Sequence, residues 1–195
     1  MTRGNGPLQM RGLEGMTIRL TCALLAWAGC FAASAASAMT QSQLDCPSHG
    51  LPASFPADYA ATIQNVDPGN AHARAMMDRV MDAADACLIQ QKIPKSLLHP
   101  YRTYAHFRLS REGYATLLAR RGISTMAIDK ALDFGPGRSN PVINQRMNDS
   151  QISALINGLK AAGVNVDTLS EDTSALIGGY VLATSHLFTA LAQLG

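Results

Sequence analysis

Charge is scarce in this chain. Of its 195 residues only 15% are Asp, Glu, Lys or Arg, and aromatic residues make up 6%. So low a charged fraction excludes a disordered polyelectrolyte or a chain that coats nucleic acid. The charge also lacks a sign. The formal net charge of +2 traces to Arg3, Arg11 and Arg19 against Glu14, and from Met39 onward 13 basic residues face 13 acidic ones. Net charge therefore gives no argument for nucleic acid or an anionic membrane as partner. Several catalytic signatures are missing as well: there is no Gly-x-Ser-x-Gly, no His-Glu-x-x-His and no Cys-x-x-Cys-His. No segment alternates β-branched residues with period two, which leaves an all-α domain as the expectation.

What is present begins with an export signal. Arg19 precedes the apolar run from Leu20 to Ala33, and Ala33-Ser-Ala35 and Ala36-Ser-Ala38 supply small residues where a signal peptidase needs them. Residues 1–38 thus read as a secretory signal peptide cleaved after Ala38, with Met16 or Met10 as the true start. A competing reading is a lipoprotein acylated at Cys30, although Trp27 is a poor substitute for the usual Leu. Cys22 and Cys30 leave with the signal. Cys46 and Cys87 remain, and in an oxidising compartment they have one pairing available.

Residues 39–195 read as one compact bundle of five to seven helices with an irregular, proline-rich lead-in stapled by Cys46–Cys87. A short helix is expected near Asp58–Gln64. Asn70 then caps a long one, in which Ala73, Met76, Val80, Ala84 and Cys87 form a stripe. Ile93-Pro94 ends it. Ser96–Leu109 is predicted as one helix and Arg111–Arg121 as another, with Ser110 as the N-cap between them and Gly122 as the stop. Ser124 opens a short helix with Met126, Ile128 and Leu132. After a Gly135–Pro141 loop, Ile152, Leu155, Ile156 and Leu159 pattern another. The final helix starts at Ser170 and carries no charge from Thr173 to Gly195. That stretch has the length of a membrane span, but Gly178, Gly179, Thr184, Ser185, His186 and Gln193 make it too polar for lipid, so it is expected as a buried central helix.

Four sets of residues carry candidate chemistry. His72 and Met76, on adjacent turns with Met77 and Met81 nearby, place imidazole and thioether together as a copper(I) site requires; a haem would pair one of the methionines with His186. Methionines also simply fill helix cores. Glu112 is one of two glutamates after Met39 and the candidate acid for glycosidase-type peptidoglycan hydrolysis, since Glu171 sits at a helix start. Arg108 and Arg111 beside it favour its charged form, against that role. Gly135-Pro-Gly resembles a phosphate loop, but Pro136 lacks the N–H such a loop donates.

The last set is a charge asymmetry. Seven basic residues from Lys92 to Arg121 oppose only Glu112, and the preceding segment is acidic through Asp45, Asp58, Asp67, Asp78, Asp82 and Asp85. Either the two faces pair inside the fold, or Tyr101, Arg102, Tyr104, Arg108, Arg111 and Tyr114 form a docking surface of interface-like composition. With no catalytic constellation, the expected function is an exported, periplasmic, non-enzymatic binding protein without a cofactor. It works by contact with another envelope or secreted protein, most concretely as an inhibitor or immunity protein that occludes a toxin or a cell-wall enzyme.

Overall fold

The computed structural model describes residues 38–64, 70–133 and 147–195, and all seven longer elements among them are α-helices. They are α1 (Gln41–His49), α2 (Phe55–Gln64), α3 (Ala71–Gln90), α4 (Leu98–Ala119), α5 (Thr125–Leu132), α6 (Asp149–Ala161) and α7 (Glu171–Leu194). The signal segment and the Gly135–Pro141 loop lie outside the described residues. Cys46 on α1 and Cys87 on α3 form the expected disulfide, with Cα atoms 5.9 Å apart. Such a bond suits an oxidising, extracytoplasmic compartment.

Two local readings are corrected. The lead-in is not irregular: Thr40 and Gln43 form a reciprocal capping box that starts α1, and Pro47 falls near its end. Pro56 likewise sits in the first turn of α2, where its missing N–H has no intrahelical partner to lose. Ser110 is not an N-cap. It is buried in the middle of a continuous α4, and its Oγ donates to the His106 carbonyl at 2.8 Å, so the hydroxyl is satisfied without breaking the helix.

α4 is the axis of the fold, packed against α7, α2 and α3. Its first half, through Tyr101, Tyr104, Ala105 and Leu109, joins Val80, Ala84, Cys87 and the end of α7 at Leu187, Ala190 and Leu194. Its second half, through Tyr114 and Leu118, joins Ile128, Leu132, Leu155, Leu159 and the start of α7 at Leu176, Ile177 and Tyr180. The two long helices therefore run antiparallel. Glycines set the approach distances: a Cβ at Gly113 would lie 1.9 Å from the Pro56 carbonyl oxygen, and one at Gly179 would lie 2.5 Å from the Tyr114 ring. Gly178, its neighbour, faces open space. α7 alone among the described helices is long and apolar enough to cross a membrane, and half of that stretch is buried within the fold. Its middle third is mostly buried, with Leu182 40% exposed, whereas its first turns are mostly exposed.

Three helices end with one device. Ile93, Ile123 and Val164 donate their N–H back to Leu88, Leu118 and Leu159 at 2.9, 3.0 and 3.0 Å, each pair bringing an aliphatic side chain onto a leucine. The residue before each donor has positive φ. Two are glycines, Gly122 at 74° and Gly163 at 83°, but the first is Lys92 at 54°. A lysine there costs roughly 1 kcal/mol relative to glycine.

Candidate functional site

The tyrosine and arginine side chains proposed as a docking surface are brought together on α4, the tyrosines inside the fold and the arginines partly exposed. Tyr101, Tyr104 and Tyr114 are 0%, 4% and 6% exposed. Tyr101 donates to the Gln43 carbonyl at 2.5 Å, and burial pushes its hydroxyl pKa up to about 12. The arginines are spent on neighbouring helices. Arg102 grips Asp85 of α3 through two hydrogen bonds, Nε to Oδ1 at 2.7 Å and a second from Nη2 to Oδ2. That grip holds the Asp85 carboxyl below its usual range. Arg108 reaches α1, pairing with Asp45 at 2.6 Å and donating to the Leu44 carbonyl at 2.6 Å, while its Nε meets Glu112 at 2.9 Å. Asp45 is lowered by a hydrogen bond from Gln41 and then by Arg108. Burial alone would depress the Arg108 pKa, yet Glu112, Tyr104 and Asp45 together raise it.

Arg111 ties α4 to α5 and α7. Its Nη2 donates to Asp129 at 2.9 Å and to the Tyr180 hydroxyl at 2.6 Å, and its Nε to Thr184 at 3.1 Å. The Tyr180 hydroxyl also donates to the same carboxylate, and burial raises its pKa to about 12. The acidic and basic halves of the sequence thus pair with each other: Asp45 and Asp85 meet Arg108 and Arg102. Glu112 faces its i−4 arginine rather than a second carboxylate, so the paired-carboxyl geometry of a glycosidase is not formed around it.

The copper pair does not converge. His72 is exposed in the first turn of α3, whereas Met76 is buried and its sulfur accepts from the Thr62 hydroxyl at 3.4 Å. No group of three His, Cys, Asp or Glu side chains among the described residues is placed to hold a metal. His186 stacks on Phe107, ring centroids 4.6 Å apart, and Phe107 in turn meets His106 edge-on at 4.5 Å. His106 shares a short hydrogen bond between its Nδ1 and the buried Tyr59 hydroxyl of α2. Burial, with the charge of His186 adding to it, depresses the His106 pKa to about 4. Sequence spacing gave no hint of this pair, because its members stand 47 residues apart on different helices.

A surface appears where the pattern predicted core. On α5 and α6 the inner stripe is buried as expected at Ile128, Leu132, Leu155 and Leu159, but Met126, Ile152 and Ile156 are 78%, 40% and 38% exposed. α5 and α6 close tightly on each other at Gly158, where a Cβ would stand 2.4 Å from that of Ala131. No family model, curated protein or solved structure matches the chain.

Proposed function

We propose that this chain is an exported binding protein of a bacterial envelope, resident in the periplasm, that acts without catalysis by covering part of another envelope or secreted protein, as an inhibitor or immunity protein does. The observation that supports this reading is the apolar exposure on the α5–α6 pair. Ile152 and Ile156 stand one turn apart on α6 with two-fifths of their surfaces open, and Met126 on α5 is more open still. Methionine and aliphatic side chains in solvent are what a partner surface would cover. The Tyr/Arg face contributes as scaffold, since its charges hold α1, α3, α5 and α7 in place around α4. Two of the groups able to move protons are engaged structurally: Glu112 with Arg108, and His106 with Tyr59.

The test is expression with the native leader in the native host, periplasmic purification and native mass spectrometry. A stoichiometric protein adduct that disappears in the Ile152→Asp/Ile156→Asp variant, with the melting temperature held within a few degrees, is the expected result. An adduct that survives that double change assigns the contact elsewhere, and a bare monomer from the native host removes the reading.

A further inference from the structure

A groove opens at the corner where α3 turns into α4, far along the chain from the α5–α6 surface. It encloses about 610 Å³ between Leu88, Ile89, Ile93 and Leu98, with Lys92 and Lys95 beside them. Ile89 is 82% exposed, the most open large aliphatic side chain among the described residues. Neither lysine has a carboxylate partner among the described residues. Asp85, the one acid in the lining, is already gripped from two nitrogens by Arg102. The groove thus offers an apolar floor and two unmatched cations with no free anion to compete for them.

Two further observations bear on the occupant. The lining holds no aromatic residue, no methionine and no arginine, and lysine is depleted in protein interfaces, so its composition argues against a protein partner. Lysine acts as a compact point charge on carboxylates and similar groups. Lys92 also occupies a left-handed position that the two matching helix ends, at Gly122 and Gly163, give to glycine. The side chain is retained where the backbone would be better served without it, and it lies on the groove. Strained positions of this kind collect at ligand sites. The geometry points to a binding site for a monomeric long-chain alkyl carboxylate, its chain laid along Leu88, Ile89, Ile93 and Leu98 and its head between Lys92 and Lys95.

The probe is laurate, kept below its micelle concentration and titrated into the oxidised protein from residue 39 while backbone amide NMR signals are followed. Saturable one-to-one binding is expected, with shifts centred on residues 88–98. Dodecyltrimethylammonium, which has the same chain and the opposite head charge, should bind at least about tenfold more weakly. Ile89→Asp should cost about tenfold in laurate affinity. Lys92→Gly should cost roughly three- to fivefold, the worth of one exposed ion pair, while raising the melting temperature because the strain is gone. That opposite movement of affinity and stability is one that a purely structural lysine cannot produce. Equal affinity for the two head groups, shifts mapping to another face, or binding to anionic phospholipid vesicles with none to laurate would each overturn the assignment.

Discussion

Acidification should weaken this fold in a window set by one buried histidine. His106 lies between α2 and α7, hydrogen-bonded to Tyr59 and close to His186, and its pKa falls from 6.5 to about 4 because burial penalises the charged ring. In the unfolded chain the same imidazole takes up its proton near pH 6.5. Between those two values the unfolded state binds more protons than the folded one, so stability falls as the pH falls. The loss is negligible at pH 7.5, reaches about 2 kcal/mol at pH 5 and levels at about 3 kcal/mol below pH 4. Asp45 and Asp85 act in a separate range. Their carboxyls are lowered from 3.8 in the fold, so what they add is intact above that value and is lost only below it. Urea unfolding followed by circular dichroism at pH 7.5, 6.5, 5.5 and 4.5 reads the window directly. In His106→Gln, whose amide can still meet the Tyr59 hydroxyl, the part of the slope due to His106 should vanish. Parallel slopes in the two proteins, or a His106 ring proton that titrates near pH 6.5 in the folded state, would refute the reasoning.

Three other expectations are independent of that window. At the glycine pair of α7, Gly178→Ala should stabilise by about 0.5–1 kcal/mol because it adds a helix former in open space, whereas Gly179→Ala should destabilise by about 1–3 kcal/mol by driving a methyl into the Tyr114 ring; denaturant midpoints of opposite sign check both. Removing the disulfide in Cys46→Ala/Cys87→Ala frees a loop of 41 residues and should lower stability by roughly 4 kcal/mol, read as a fall in the urea midpoint that reducing agent mimics in the parent chain. Arg111→Glu sets an acid against Asp129 and strips Tyr180 and Thr184 of a donor, so it should cost about 2 kcal/mol in thermal unfolding; a neutral result would show Arg111 to be surface decoration.

The helices were legible because their signals are local. Asn70, Ser124 and Ser170 stand at the N-caps where the sequence puts them, and Gly122 and Gly163 sit just past helix ends with positive φ. The two misreadings share a cause. Pro47 and Ser110 each look like punctuation, and each is tolerated because something outside its own propensity decides: a capping box seven residues upstream for Pro47, and tertiary packing of α4 for Ser110. The packing of the Tyr/Arg set between helices has a different cause. Composition says that tyrosine and arginine suit interfaces, but an internal junction of helices is itself an interface. Arg102, Arg108 and Arg111 reach Asp85 of α3, Asp45 of α1 and Asp129 of α5, so each finds a carboxylate on a different neighbour.

The same logic explains why the exposed apolar positions could not be read in advance. Ile152 and Leu155, three apart on α6, belong to one stripe by spacing, yet that stripe is wider than the strip of contact that a two-helix pair can supply, whereas Met126, two residues before Ile128, falls on the opposite side of α5. α5 and α6 close on each other at Gly158, which fixes the inner edge and leaves Met126, Ile152 and Ile156 beyond it. Lys92 is the converse case. By propensity alone its position should be glycine, as at the two ends closed by the same hydrogen bond, Gly122 and Gly163; among the described residues Asp133, at the end of α5, is the other non-glycine with positive φ. A residue that opposes the local backbone preference, beside a groove its charge can serve, carries more functional information than six residues that agree with their surroundings. Strain at Lys92 and solvent at Ile89 and Ile156 are costs that folding alone gives no reason to keep, and they mark where binding is to be sought.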